Sequence, residues 1–414
     1  MRSLGVFEID IDSTQWLEDY DHFLWLDSAG YTDDNFIALD VFDEFKASGN
    51  QDLVRLQEWL NSNADFAFGY FSYDLKNQIE KLESNNTSFI AVPDCYFFVP
   101  RILLKGGPGK WELLSNIELD VEAFLGKVNQ PNSKNESNKV DFKAQISKEE
   151  YIGHLNKLRE HIQLGDVYEL NFCQAFISED SKIDPYQSYH RLRQNLDAPM
   201  SAFARFDDLF VLSGSPERYL KKDGERIISE PIKGTMKRHD DPVVDQQLVE
   251  ELRTSTKDRS ENIMIVDLVR NDLSRIAQKG TVHVEEMCEI YSFPNVHQMI
   301  SRVTCLQKEN SSSTGTIQAS FPMGSMTGAP KVSAMKLIEE HESFKRGLYS
   351  GSLGYFDPDQ NFDFNVLIRS LFYDESSKRA VIAAGGAITI LSDPESEYEE
   401  SLLKVRGLLD IMES

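Results

Sequence analysis

The sequence predicts an α+β fold, antiparallel sheets covered by helices, on three observations. Between residues 201 and 229 short apolar-polar runs succeed one another as a meander of strands, and Lys222-Asp223-Gly224-Glu225 closes the last pair with Asp-Gly, a strong short-range hairpin signal. Long helical patterns flank the meanders. The clearest opens at Ser147-Lys148-Glu149-Glu150, which has capping-box form, and carries Tyr151, Leu155, Leu158 and Ile162 at helical spacing until Gly165 stops it. The regular strand-helix alternation of a parallel sheet is missing.

Taken in order, residues 23–26, 66–73 and 96–104 read as strands and 53–60 as a helix, with the aromatic run AFGYFSYDLKNQIEKL marking core packing. Residues 126–139, GKVNQPNSKNESNK, are nearly free of large apolar side chains and read as an exposed linker. The chain therefore divides into 1–125, a linker at 126–140, and 141–414. In the last region, strands are expected at 167–172, 201–205, 209–213, 218–220, 226–229, 281–291, 296–304, 365–373 and 380–384. Helices are expected at 244–254, 261–277 and 330–345, the last with Pro330 in its first turn and Gly347 beyond its end, and a final one follows Asp393.

With 414 residues the chain can bury a large core, and 41% hydrophobic with 27% charged residues is ordinary globular composition. A formal net charge of −25 repels phosphate backbones and anionic lipid, which weighs against nucleic acid or a membrane surface as a main target. An anionic small substrate then requires cations gathered locally. Cys95, Cys173, Cys288 and Cys305 are scattered without CxxC spacing, which fits a reducing compartment rather than a zinc ribbon or a disulfide framework. The opening residues MRSLGVFEIDIDSTQWLEDY are acidic and lack an apolar core, and no apolar stretch approaches ~18 residues. The cytoplasm is the expected location.

Chemistry gathers around residues 213–237, SGSPERYLKKDGERIISEPIKGTMK. Folding about Asp223-Gly224 sets Glu217 near Glu230, and Lys233 follows in a segment kinked by Pro231 and Gly234, so an acid and an amine flank one volume. Taken singly, each also reads as a solvated strand end or loop. In the final helix Asp393 is a good N-cap, and Glu397, Glu400 and Lys404 share one face. Asp258 and Glu261 repeat the carboxylate spacing ahead of the apolar IMIVDLV. A solvated helix face has the same spacing, but carboxylates beside buried segments are costly without a cation. Oxygen-only ligands would select Mg²⁺.

Two glycine-rich stretches are candidate anion cradles: FPMGSMTGAPK, which runs into a helix, and Ala384-Gly385-Gly386-Ala387, read as a tight turn. Neither has P-loop spacing. Arg369, on the otherwise apolar VLIRSLFY, needs a carboxylate partner, either a ligand's or an internal one. His297, in FPNVHQMIS, reads by itself as a satisfied core histidine.

Together the segments SGSPERYL, SEPIKGT, ENIMIVDLVRNDLSRI, FPMGSMTGAPK, GLYSGSLGYF, NVLIRS, AAGGAI and SDPESEYEESLLKVR resemble the chorismate-utilising enzymes: anthranilate synthase component I, aminodeoxychorismate synthase component I, and the isochorismate and salicylate synthases. The likeness covers residues 145–414 in order and is looser before them, mainly through FGYFSYD. It implies a helix-flanked antiparallel β-sandwich of the anthranilate synthase component I type, with intertwined N-terminal and C-terminal portions and a chorismate-binding catalytic region at 141–414. It also implies roles. Glu261 and Glu400 match Mg²⁺ ligands, with Glu397 and Asp258 in support, Asp258 standing where Glu is usual. Tyr349, Arg369, Lys404, Gly385, Gly386 and Thr327 match positions around the substrate, and His297 a histidine beside its ring.

Within that family Lys233 discriminates. The aminodeoxychorismate synthases resemble this chain in PIKGT, whereas anthranilate synthases and the water-adding members usually carry Ala there. The resemblance implies a lysine attack on C2 of chorismate, replaced by ammonia at C4, to give 4-amino-4-deoxychorismate for p-aminobenzoate and folate supply. Glu217 matches the general acid. The chemistry calls for a Lys233 of lowered pKa and a Glu217 of raised pKa. Glu169 stands where water-adding members have a lysine base and aminating members more often Gln; Met236 replaces a usual arginine. None of the cysteines lies in the nucleophile elbow of a glutamine amidotransferase, so a separate subunit of that kind would supply ammonia. Anthranilate synthase component I is the alternative, and a catalytically silent chorismate-binding scaffold stands against the intact set of metal, acid and anion residues.

Overall fold

The computed structural model describes residues 1–9, 11, 13–31, 35–107, 109–129, 140–196 and 198–413. Strand Cys95–Gly107 is the junction of a branched antiparallel sheet. One arm leaves it through Asn35–Ala47, His22–Asp27, Ser201–Phe206, Leu209–Ser213, Ser370–Asp374 and Arg379–Ile388 and ends on Glu169–Ser178. The other passes through Ala67–Phe71, Ser352–Phe356, Phe362–Asn365, Arg218–Asp223 and Arg226–Glu230 to Val296–Leu306. The α+β expectation agrees with this architecture. Strands from 1–125 pair directly with strands beyond 141 in both arms, so the two portions intertwine.

Side chains from both arms meet in one apolar core, where Phe68, Tyr70 and Phe71 of the aromatic run are buried with Ala204, Val211, Leu220, Phe364 and Phe372. Alternation along each strand sends the other face outward, where helices cover it. Tyr189 and Leu192 of Pro185–Leu196 and Val405 and Leu408 of Pro394–Glu413 pack over Phe203 and Phe210. Tyr151, Leu155 and Leu158 of helix Lys148–Leu164, with Leu337 and Ile338 of Lys331–His341, cover Leu170 and Phe172. The capping box at Ser147 and Glu150 is formed, and Gly165 ends that helix at φ 87°. Among the described residues no helix is long and apolar enough to cross a membrane.

Four expectations change. The strand expected at 365–373 breaks into Phe362–Asn365 and Ser370–Asp374, and Arg369 adopts a left-handed φ of 49° between them. Gly385 and Gly386 lie inside strand Arg379–Ile388 rather than in a turn: a Cβ on Gly385 would stand 2.0 Å from the Phe172 carbonyl oxygen. Glycine here permits a close strand approach. The helix expected to reach 345 stops at His341, with Pro330 as its N-cap. Residues 126–128 close helix Val121–Val128 instead of opening a linker, and 130–139 of that linker lie outside the described residues.

The helix stops at His341 because the next residue is needed elsewhere. Glu342 is buried, accepts the Cys173 backbone N–H at 2.8 Å and pairs with Arg346 at 2.6 Å. Arg346 in turn donates to the Met326 and Asn171 carbonyls at 2.7 and 2.9 Å and to the Ser350 hydroxyl at 3.3 Å. Arg346→Met would leave a buried carboxylate without its cation, and we expect a loss of about 3–5 kcal/mol in urea unfolding. The double substitution Glu342→Gln with Arg346→Met removes both charges and should recover part of that loss.

Candidate active site

Strands Arg218–Asp223 and Arg226–Glu230 form the predicted hairpin about Gly224, which has a φ of 59°. The fold then adds a partner that the sequence does not advertise. Ser325, in the short 3-10 turn Gly324–Met326, donates its hydroxyl to Glu217 Oε1 at 2.7 Å, and its carbonyl accepts from Lys233 Nζ at 3.4 Å. One serine therefore joins the acid to the amine. Glu230, directly opposite Arg218, takes no part: its carboxylate is held by Arg218 and Arg302.

Glu217 is buried, and burial lifts its carboxyl to about 7 against the opposing pull of Ser325, Lys233 and Arg369. The raised value expected for a general acid is present. Lys233 behaves otherwise. Burial pushes its pKa down, but Glu169, Glu261, Glu217 and Glu400 together drive it above the ordinary lysine value. The lowered pKa expected from desolvation is therefore corrected. The most distant of these carboxylates, Glu400, lies 167 residues along the chain, and together they favour the ammonium form of Lys233.

Glu169 begins strand Glu169–Ser178, and its Oε1 stands 3.6 Å from Lys233 Nζ. It is 1% exposed, and Oε2 is buried without a hydrogen-bond partner. Gly328 allows the approach of the next segment: at φ 146° it pairs with Leu170, and a Cβ there would meet the Glu169 carbonyl at 2.1 Å.

Helices Thr256–Ser274 and Pro394–Glu413 bring two of the predicted carboxylates to one cation. Lys257 Nζ lies 3.1 Å from Glu397 Oε1 and 4.0 Å from Glu261 Oε1. Sequence reasoning missed Lys257, although its i,i+4 spacing to Glu261 was visible. Burial raises Glu261 to about 7, and its Oε1 accepts no hydrogen bond. Glu397 Oε2 would touch a Cβ on Gly386 at 3.0 Å, so that glycine opens the strand toward the helix. Glu400 pairs with Lys404 at 2.8 Å, and Lys404 also donates to the Gly385 carbonyl at 2.8 Å. Asp258 is engaged by Ser255 at the start of its helix and abuts Gly234. Among the described residues no three His, Cys, Asp or Glu side chains form a ready metal cage. An all-oxygen set of two or three carboxylates with an unsatisfied buried oxygen still fits Mg²⁺, which keeps water and substrate oxygens in its remaining positions.

The other predicted residues separate. Among the described contacts the Arg369 guanidinium has no ion pair within salt-bridge distance, and Glu217 is the carboxylate whose charge opposes the fall that burial imposes on its pKa. Tyr349 is buried with its hydroxyl 3.6 Å from Cys173 Sγ. Thr327 is fully buried and its hydroxyl donates to the Met323 and Gly324 carbonyls, so it shapes the turn rather than offering a side chain to substrate. Both ring nitrogens of His297 are engaged, by Ser292 at 2.8 Å and Asp245 at 3.0 Å. That is the satisfied core histidine, with no nitrogen left for a substrate ring.

A family profile described as chorismate binding enzyme matches residues 21–410. The chain belongs to the chorismate binding enzymes. Within the family it is 34% identical to aminodeoxychorismate synthase component 1 of Escherichia coli strain K12, over 84% of this chain and 77% of that protein. It is 33% identical to the chloroplastic aminodeoxychorismate synthase of Arabidopsis thaliana over 93% of this chain, which spans 45% of that longer relative. The fold superposes on anthranilate synthase component I from Streptococcus pneumoniae TIGR4 with a TM-score of 0.80 at 25% identity, covering 92% of each chain. MenF, the menaquinone-specific isochorismate synthase of Escherichia coli, shares the fold with a TM-score of 0.80 at 20% identity, covering 99% of this chain and 95% of MenF.

A carboxyl raised from 4.5 to about 7 by burial stabilises the fold while protonated, below pH 4.5, and that contribution is lost as pH rises through 7. Glu217→Gln is therefore expected to be more stable than the parent at pH 8, by on the order of 3 kcal/mol, with the gap closing toward pH 5. Urea unfolding in metal-free buffer at the two pH values measures it; equal gaps would refute the buried, protonated acid.

Proposed function

We propose that the chain is an aminodeoxychorismate synthase component, converting chorismate and ammonia to 4-amino-4-deoxychorismate for p-aminobenzoate and folate supply. The observation that carries the reading is the buried Lys233 amine joined through Ser325 to a protonated Glu217. Relatives bearing that activity in their names, at 33–34% identity over most of this chain, support it. Anthranilate formation has no need of an amine at this position, so Lys233 favours the proposed product over the alternative.

In the proposed reaction neutral Lys233 attacks C2 of the ring, the double bonds shift, and the C4 oxygen departs as water with the proton of Glu217. Hydroxide alone is a poor leaving group, so the proton must be in place beforehand, as a carboxyl of pKa about 7 provides. Ammonia then adds at C4 and expels the lysine. Arg369 would hold a substrate carboxylate. Glu261, Glu397 and Glu400 would hold Mg²⁺, which supplies positive charge for the ring carboxylate. The Lys257 ammonium lies where it offsets the same carboxylates. A separate glutamine amidotransferase subunit would deliver ammonia, in the cytoplasm, with ammonium salts as a substitute.

The protein incubated with chorismate, Mg²⁺ and ammonium, followed by an aminodeoxychorismate lyase, should yield p-aminobenzoate only when the lyase is added. Anthranilate without it would reject the reading. Lys233→Ala is expected to lower aminodeoxychorismate formation by roughly 10³-fold or more with ammonia and with glutamine plus a glutaminase. Removing divalent ions with EDTA should abolish amination, and added Mg²⁺ should restore it.

A further inference from the structure

The proposed attack needs an uncharged amine, yet Lys233 Nζ stands 3.6 Å from the buried Glu169 carboxylate, an ion-pair partner that favours the ammonium. A proton acceptor must therefore sit beside Nζ. Of the groups facing that nitrogen, Glu217 is the protonated acid and is occupied by Ser325, while Glu261 and Glu400 stand with Lys257 and Lys404 on the two helices. The Ser325 carbonyl can accept a hydrogen bond but cannot take a proton. Glu169 alone is left: buried, 3.6 Å from Nζ through Oε1, and with Oε2 free of any hydrogen bond. No cation other than Lys233 is paired with it among the described contacts.

We propose that Glu169 is the proton acceptor that converts Lys233 to its nucleophilic form and returns the proton at the end of the cycle. The inference rests on the covalent reading of Lys233 above. Burial lowers the cost of the transfer, because removing charge from both partners relieves the desolvation that a charged pair bears in an apolar site. The balance closes. The Nζ–H bond breaks and Glu169 gains the proton; the amine lone pair forms the bond to C2, and the C4 oxygen leaves as water with the Glu217 proton. The adduct nitrogen is then a secondary ammonium. Ammonia forms its bond to C4 while the C2–N bond breaks, releasing neutral Lys233. The new C4 ammonium reprotonates Glu217, and Glu169 hands its proton back to Lys233. Chorismate and ammonia are consumed; the aminated product and water are formed.

Burial also explains why a carboxylate can serve. Desolvation raises the pKa of Glu169, and the charge of Lys233 opposes the rise, so the acceptor is more basic than a solvated glutamate.

The test mixes the full chain with chorismate and Mg²⁺ without ammonium, digests quenched samples, and follows the mass of the peptide bearing Lys233. In the wild type the adduct rate should be nearly independent of pH between 6 and 7. In E169Q it should fall at least tenfold at pH 6 and rise toward tenfold per pH unit, since only solvent then removes the proton. Formate should restore adduct formation in E169A. An adduct rate and pH profile in E169Q equal to the wild type would overturn the assignment. So would a wild-type rate that climbs tenfold per unit, a measurement that requires no variant. Wild-type protein that aminates chorismate yet never carries mass on Lys233 would instead overturn the covalent reading on which the assignment rests.

Discussion

The buried ion pair of Glu342 and Arg346 is the constraint on which the site depends. A charge pair in an apolar interior is stabilising only when its remaining hydrogen-bonding capacity is satisfied, and here backbone groups satisfy it. Those backbone groups belong to the strand that carries Glu169 and to the turn that carries Ser325. Position and protonation are thus linked: the pair fixes the two segments that flank Lys233, where the burial of Glu169 and Glu217 strengthens the charges around the amine.

The electrostatic balance around Lys233 follows from that enclosure. In water a single glutamate would hardly affect a lysine several ångströms away, whereas in a dry site the same pair is strongly coupled. The overall acidity of the chain contributes little to this. What matters is that Glu169, Glu217, Glu261 and Glu400 act on one buried amine, while Arg369 acts on Glu217 from a buried position of its own.

Much of the fold was legible in the sequence because its signals are local. The capping box at Ser147, the Asp-Gly turn and the period of the flanking helices specify structure within a few residues, and each is present. The miscast elements depend on distant segments. Apolar residues run on through 365–373, but Arg369 must leave the ladder, and nothing within the run marks the break. The Gly385-Gly386 pair looks like a turn until Phe172 and Glu397 are brought against it. At the site, the hairpin set an acid, Glu217, and an amine, Lys233, beside one volume, and only the family resemblance gave them roles. Ser325 was not legible, since its role arises from contacts across more than 90 residues, and Lys257's pairing with Glu397 joins helices across 140 residues; the protonation of Lys233 reverses when Glu169, Glu261, Glu217 and Glu400 act on it.

The two-armed junction at Cys95–Gly107 has a consequence for how the molecule comes into being. Ala67–Phe71 has Ser352–Phe356 as its second neighbour, and His22–Asp27 waits for Ser201–Phe206. As the chain leaves the ribosome, the early strands therefore present apolar faces and unpaired edges long before their complements exist. Pairings this distant in sequence make for slow closure. Until those complements are made, the interleaved architecture leaves the newborn polypeptide open to wrong pairings of its early strands.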